Sequence, residues 1–274
     1  MICRWAFVIS IACMAFSPGY ALATKIIMVV ETSVTVTDQS VDVRLEVNNI
    51  GDEDALVVTP FLSLAGVETG LGATPYIAFE GGRVWAHSFP VNDLTVPEDG
   101  KYPLIVRLRY HDAYMYPYSM VSAMKVQIGK SLPVKAPLAG EMIAEQVTEE
   151  GALELRVKNT GLLPIEGQLT MISPTELVVV GDSGKLNIPV GEERQIGYVI
   201  KNNGALSGSS HNLYAIIEYS ISGRHGVVIM NENVAIASYL SSKKRTIIIA
   251  SSGFIVLLFF AVLFFEFRAG VSAA

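Results

Sequence analysis

The stretch VDVRLEVNNIG, residues 41–51, alternates apolar and polar side chains and then ends in an Asn-x-Gly turn. Alternation with a period of two is typical of a strand that buries one face. Asn and Gly tolerate a positive φ, so Asn49 and Gly51 are interpreted as turn formers that end the strand. The same alternation recurs in LIVRLRY, residues 104–110, and in LELRV, residues 153–157. Because no segment of helical period interrupts it, the body of the chain is predicted to be all-β.

An internal repeat organises this body. LEVNNIG, residues 45–51, matches LRVKNTG, residues 155–161, at a spacing of 110 residues. VRLRY, residues 106–110, corresponds to AIIEY, residues 215–219, at a spacing of 109. Segments that recur in one order at nearly one spacing indicate a duplicated structural unit.

The repeat predicts two units, 24–131 and 138–238, joined by a short Pro-containing linker at 132–137. Units of about 100 residues with seven or so short strands are typical of immunoglobulin-like β-sandwiches. The fold class expected from the sequence is therefore all-β: two tandem immunoglobulin-like sandwiches, followed by one transmembrane helix.

Both units resemble the CARDB-type bacterial domains related to cell adhesion. The resemblance rests on the strand that ends in VNNIG, residues 47–51, and on DGKYPLIVRLRY, residues 99–110, in which Gly-x-Tyr leads into a strand that ends in Tyr. The second copy departs from this pattern, because GSSHNLY, residues 208–214, has no Gly-x-Tyr. The resemblance implies a fold and an extracytoplasmic location, and it carries over no catalytic residue.

Residues 1–23 have the pattern of a secretory signal peptide. Arg4 precedes the apolar run Trp5–Phe16, and Ala21-Leu22-Ala23 offers a small-x-small cleavage site before Thr24. An uncleaved anchor is the alternative. Both cysteines of the chain, Cys3 and Cys13, fall in this region, so the mature chain would contain no thiol and no disulfide.

Residues 246–265 form an apolar run without a charge that is long enough to span a bilayer as a helix. A basic juxtamembrane segment at 239–245 precedes it, and a short tail at 266–274 follows. With a cleaved signal peptide, the body is predicted to be periplasmic or extracellular and the C-terminus cytoplasmic. The basic cluster lies on the side opposite to the positive-inside bias, so a tail-anchored protein with a cytoplasmic body is the competing topology.

Charge excludes one class of partner. Residues 24–242 contain 25 Asp and Glu against 15 Lys and Arg, and an acidic body disfavours any partner with a phosphate backbone. Nucleic-acid binding is therefore not expected.

No motif for catalysis or metal binding is found. The chain has no nucleophile elbow, P-loop or dinucleotide fingerprint, and its four histidines do not have metal-ligand spacing. We therefore predict a protein that is not an enzyme, with no catalytic residue, metal ligand or cofactor. Asp52-Glu53-Asp54 is interpreted as a solvated acidic loop, with calcium binding as the alternative.

One segment is predicted to bind a partner. In YHDAYMYPY, residues 110–118, Tyr114, Tyr116 and Tyr118 have a spacing of two, which in an extended chain would place all three rings on one face. The second copy has no aromatic residue at the matching place, so the cluster is not a feature of the repeat. Clustered Tyr on a loop suits the binding of protein or sugar. The alternative is a hairpin packed on its own unit or on the second unit.

These observations predict a membrane-anchored interaction or scaffolding protein of the bacterial cell envelope, without catalysis. Its expected partners are other envelope proteins or polysaccharide. One alternative is a carbohydrate-binding accessory protein of polysaccharide export or the cell wall, which would use the Tyr114–Tyr118 face. A second alternative is a tethered assembly chaperone.

Overall fold

The computed structural model describes residues 25–130 and 137–237 of the chain, and this part is almost entirely β-structure. The predicted signal peptide, most of the linker and the predicted membrane helix lie outside the described residues. Within the described ranges, no helix has the length and apolar character needed to cross a membrane.

The first unit has two sheets that enclose one core. Its strands are β1 Met28–Val36, β2 Ser40–Asn49, β3 Ala55–Leu64, β4 Val67–Gly70, β5 Thr74–Ile77, β6 Gly82–Pro90, β7 Gly100–His111 and β8 Pro117–Ile128. Strands β1, β2 and β6 form one sheet, and β4, β3, β7 and β8 form the other, with β5 beside β3. A 3-10 turn, Val91–Asp93, follows β6.

The second unit has a similar arrangement with one difference. Its strands are β9 Leu138–Ala144, β10 Glu150–Asn159, β11 Ile165–Ile172, β12 Leu177–Val180, β13 Gly184–Ile188, β14 Glu193–Asn202, β15 Ser210–Ser220 and β16 His225–Ala235. Its sheets have the orders β12-β14-β10-β9 and β13-β11-β15-β16. Here β12 pairs with β14, whereas β4 of the first unit pairs with β3 in the other sheet.

Each unit has its own hydrophobic core. The core of the first is drawn from residues between Met28 and Ile128, and that of the second from residues between Leu138 and Ile236. The alternation in VDVRLEV explains how the first core is filled, because Val41, Val43, Leu45 and Val47 are all buried while the residues between them face outward.

The matching asparagines of the two repeats have the same structural role. The Asn49 side chain is fully buried, and its amide nitrogen donates hydrogen bonds to the carbonyls of Glu53 (2.7 Å) and Ile77 (3.4 Å). The Asn49 Oδ1 atom accepts the N–H of Gly51 at 3.1 Å. Asn159 repeats this pattern with Leu163, Ile188 and Gly161. Both asparagines therefore connect the end of one strand to a neighbouring loop, in addition to forming a turn.

The two units lie side by side. The five-stranded sheet that contains β7 and the four-stranded sheet that contains β16 meet through a parallel bridge between Gly100 and His225, so one nine-stranded sheet runs through both units. A separate apolar cluster, which we call the junction cluster, packs between the two units beside this bridge. It is formed by Val121 of the first unit and by Ile172, Ile216 and Val227 of the second.

Candidate functional site

The segment with the predicted binding tyrosines is a tight turn between β7 and β8. Asp112 organises it: its Oδ1 atom accepts the backbone N–H groups of Tyr114 at 2.9 Å and Tyr116 at 2.8 Å. The Asp112 carbonyl accepts the N–H of Met115 at 3.0 Å, and Met115 has a φ of +61°. We call residues 112–116 the tyrosine turn. These three internal hydrogen bonds order the backbone of the turn in the absence of a bound partner.

The structure brings two of the three tyrosines together and leaves the third apart. The rings of Tyr116 and Tyr118 meet edge to face with centroids 5.1 Å apart, and Tyr118 also stacks on Tyr110 at 5.5 Å. Tyr114 is 91% exposed, and Met115 beside it is 55% exposed. The expected row of three rings is not formed, because the chain turns at Ala113 and Tyr114 instead of running extended.

Tyr116 joins the tyrosine turn to the second unit. Its hydroxyl donates a hydrogen bond to the backbone carbonyl of Gly204. Tyr118 stays within the first unit, where its hydroxyl donates to Asp112 Oδ2 at 3.2 Å. Burial and the nearby Asp112 carboxylate raise the pKa of Tyr118 to about 12, so this hydroxyl keeps its proton at neutral pH.

A buried carboxylate lies directly beside these rings. Glu176 of the second unit is only 5% exposed, and its carboxylate accepts both the backbone N–H and the hydroxyl of Ser119, the latter at 2.5 Å. The Ser119 hydroxyl in turn accepts the backbone N–H of Thr175 at 2.7 Å. A buried carboxylate needs hydrogen bonds of this kind, so Glu176 fixes β8 against the second unit.

These residues surround a cleft of about 480 Å³ between the units. Tyr110, Tyr118, Ser119, Glu176 and His211 line its wall. Burial lowers the pKa of His211 and raises that of Tyr110, so both side chains are neutral near pH 7. The cleft therefore has aromatic faces and an imidazole in its lining, together with two carboxylates, those of Glu53 and Glu176.

The tyrosine turn lies at the end of the molecule where the described chain ends. The loop that contains Gly204 continues to Ser207 and Gly208. The Ser207 hydroxyl donates to the Ala237 carbonyl at 3.4 Å, and the Gly208 N–H donates to the Ile236 carbonyl at 2.9 Å. Residue 237 is the last described residue before the predicted membrane helix.

The acidic loop is tied to its surroundings through three different neighbours. Asp52 Oδ1 accepts the backbone N–H of Lys25, Asp54 Oδ1 accepts that of Phe79 at 2.9 Å, and Glu53 Oε1 accepts that of Ala113 at 3.2 Å. Among the described residues, no group of three or more His, Cys, Asp or Glu side chains has the geometry to hold a metal ion.

The two tyrosines that end the repeated strands are buried: Tyr110 is 8% and Tyr219 is 6% exposed. Tyr102, near the start of β7, donates its hydroxyl to the Glu98 carbonyl at 2.7 Å. In the second unit, His211 stands at the place that matches Tyr102, and its Nε2 atom lies 2.9 Å from the Ser209 hydroxyl.

Sequence reasoning missed Glu176 and the contact between the units. One signal for that contact is present in β15, where Ala215, Ile216 and Ile217 are apolar in succession. In a strand with one solvated face, the outward position between Ala215 and Ile217 would normally hold a polar residue. An Ile at that position indicates that the outer face is covered, and Ile216 does belong to the junction cluster. Glu176 has no comparable signal, because an isolated Glu in a loop is ordinarily exposed.

Comparisons with known proteins give remote structural similarity. Neither a protein-family model nor a curated protein matches the sequence. A FixG-related protein from Vibrio parahaemolyticus is 13% identical with a TM-score of 0.32, over 37% of this chain and 98% of that chain. Native alpha-2-macroglobulin from E. coli is 11% identical with a TM-score of 0.33, over 77% of this chain and 17% of that chain. The YadV chaperone is 15% identical with a TM-score of 0.30, over 76% of this chain and 99% of that chain. Values this low assign the chain to no family.

Proposed function

We propose that this chain is a non-catalytic interaction or scaffolding protein of the bacterial cell envelope, anchored by a C-terminal membrane helix and built from two immunoglobulin-like sandwiches. The strand orders support the immunoglobulin-like assignment. In each unit the first two strands pair with a later strand in one sheet, and the last two strands form a hairpin in the other, which is the arrangement of that class.

The observation that carries the proposal is the exposure of Tyr114 on a turn of fixed geometry. A Tyr side chain that is 91% exposed contributes little to its own fold. Held on a backbone that Asp112 and Glu53 already order, it offers a large contact surface at a low entropic cost. Tyr114 and Met115 are therefore the residues assigned to contact the partner, and Tyr116 and Tyr118 are positioning residues.

The position of the turn favours a partner near the membrane. The tyrosine turn and Ala237 lie at the same end of the molecule, and the predicted helix begins nine residues after Ala237. A chain anchored through that helix would hold Tyr114 close to the bilayer, where other envelope proteins are within reach.

The experiment that tests the proposal compares Tyr114→Ala with Leu162→Ala in the full chain. Leu162 is a matched control, because it is equally exposed (92%) on a loop, and its neighbour Gly161 lies beside Pro137, which lines a separate cleft. We expect Tyr114→Ala to reduce co-purification of a specific envelope protein at least about tenfold, as for an aromatic hot spot, and Leu162→Ala to leave it unchanged. Equal recovery with both variants would contradict the proposal.

The topology has a separate test. Protease added to intact spheroplasts should digest the body, because the proposed body lies outside the cytoplasmic membrane. Protection of the body would favour the tail-anchored alternative, whatever the tyrosine turn binds.

Carbohydrate binding is the second candidate, and the cleft favours it. Aromatic faces beside polar groups suit sugars, and Tyr110, Tyr118 and His211 provide such groups in the lining of one cleft. Its test is a titration of the full chain with envelope oligosaccharides. Binding that is weakened by His211→Ala and insensitive to Tyr114→Ala would favour the cleft over the tyrosine turn.

A further inference from the structure

A second cleft, which we call the basic cleft, lies at the opposite end of the contact between the two units. It has a volume of about 230 Å³, and it is formed by the start of β7, the end of β8 and the turn between β15 and β16. Four of its lining residues are cationic: Lys101, Lys125, Lys130 and Arg224. Asp99 is the one carboxylate in the lining.

The charge of the basic cleft is opposite to that of the body. Acidic residues exceed basic ones by ten in residues 24–242, whereas the lining of the basic cleft contains four cationic residues and one carboxylate. No ion pair among the described residues includes any of these four cations. A surface that gathers unpaired positive charge inside a concave site concentrates anions.

Strand pairing places two of the lysines on one face. Lys101 lies opposite Gln127, and Pro103 opposite Lys125, so both side chains project from the same side of the β7–β8 hairpin. Burial, together with the charge of Lys101, lowers the pKa of Lys125. The charged form of Lys125 is therefore destabilised, and a bound anion would relieve this.

Arg224 is held by a two-residue hairpin turn. The N–H of Ile221 donates to the Arg224 carbonyl at 2.9 Å, and the N–H of Arg224 donates to the Ile221 carbonyl at 3.2 Å. Ser222 and Gly223 between them both have positive φ, as this turn type requires. The backbone of Arg224 is thus fixed at the edge of the cleft.

His225 connects that turn to the first unit. Its ring stacks on Tyr102 with centroids 4.0 Å apart, its Nδ1 atom lies 2.7 Å from the Lys101 carbonyl, and its Nε2 atom lies 3.4 Å from Glu218. Both ring nitrogens therefore have partners, so His225 positions Arg224 beside Lys101 and is not itself a ligand-binding group.

We propose that the basic cleft binds the phosphate or carboxylate groups of an anionic ligand, through Lys101, Lys125 and Arg224. Lysine supplies point charges, and arginine supplies the planar fork that matches both kinds of oxyanion. The eleven residues of β16 separate this cleft from the end of the described chain, which is roughly 35 Å at about 3.3 Å per residue. The ligand is therefore assigned to the aqueous phase and not to the headgroups of a bilayer at that end.

The test is calorimetric titration of the full chain in detergent with two probes, inorganic pyrophosphate and citrate, which separate phosphate from carboxylate recognition. We expect saturable binding of at least one probe that weakens as the ionic strength rises from about 0.05 M to about 0.3 M. The double variant Lys101→Gln/Lys125→Gln should lower the affinity at least about tenfold. The matched control Lys158→Gln/Lys185→Gln, which removes two lysines outside the cleft, should change it less than about twofold.

Arg224→Gln provides a second variant on a different element, and it should also weaken binding. A thermal melt of each variant shows whether it is folded, which distinguishes a loss of binding from a loss of structure. No binding of either probe by the wild type would overturn the proposal. Equal losses in the cleft variants and the control would overturn it as well.

Discussion

The Tyr116 hydroxyl donates a hydrogen bond to the backbone carbonyl of Gly204, 88 residues further along the chain. This bond makes one tyrosine of the predicted binding face part of the contact between the two units. It also divides the segment by role: Tyr116 and Tyr118 pack inward, and Tyr114 alone is left almost fully exposed.

Removal of this hydroxyl should weaken the contact between the units. We expect Tyr116→Phe to lower the free energy of unfolding by about 1 kcal/mol, the net contribution of one hydrogen bond. Tyr114→Phe is the matched control, since no hydrogen bond joins the Tyr114 hydroxyl to the described residues, and it should leave stability unchanged. Urea titration measures both, and equal stabilities for the two variants would argue against the bond.

Loss of either repeated asparagine should be more costly. Asn49→Ala leaves the buried Ile77 carbonyl without its side-chain donor and frees the turn at Gly51, so we expect a loss of about 3 kcal/mol. Trp85, which packs against the first core, reports this loss through its fluorescence. The exposed Asn187→Ala is the control. A loss below about 1 kcal/mol would show that the amide is not structurally required.

Stability should fall in mild acid because of His211. Burial lowers the pKa of His211 from 6.5, and the Glu176 carboxylate opposes this only in part. The folded chain therefore binds fewer protons at this residue than the unfolded chain, so its contribution is complete above about pH 6.5 and is lost as the pH falls through the folded pKa. His211→Gln should lose less stability between about pH 7 and about pH 5 than the wild type. Urea titration at both values measures this, and identical losses would contradict it.

The junction cluster should couple the unfolding of the two units. Ile216 is only 1% exposed and lies in this cluster, so Ile216→Asp should force the units apart while the new charge becomes hydrated. We expect the Trp85 fluorescence transition to separate from the circular dichroism transition. Val199→Asp, at a half-exposed position on β14 outside the cluster, should keep the two transitions together. Coincident transitions in Ile216→Asp would mean that the contact adds no cooperativity.

The all-β body was predictable because short-range rules govern it. Alternation fixes which side chains of VDVRLEV are buried, and the repeat makes Asn49 and Asn159 equivalent. The contact between the units was not predictable, since it depends on pairs far apart in sequence, such as Ser119 with Glu176 and Gly100 with His225. The tyrosine spacing was misleading for a related reason: Asp112 folds the segment into a turn, which an extended-chain argument does not consider.

The most direct test of the proposed function is site-specific photocrosslinking in intact cells of the native host. A benzophenone amino acid is placed at Tyr114 in the full chain and, as the matched control, at Leu162, which is equally exposed on a loop of the second unit. We predict a discrete protein adduct from position 114 that is absent from position 162, because only the tyrosine turn is assigned to contact a protein partner. An adduct from both positions, adducts to lipid alone, or none from position 114 would contradict the assignment of Tyr114 as a protein-binding residue.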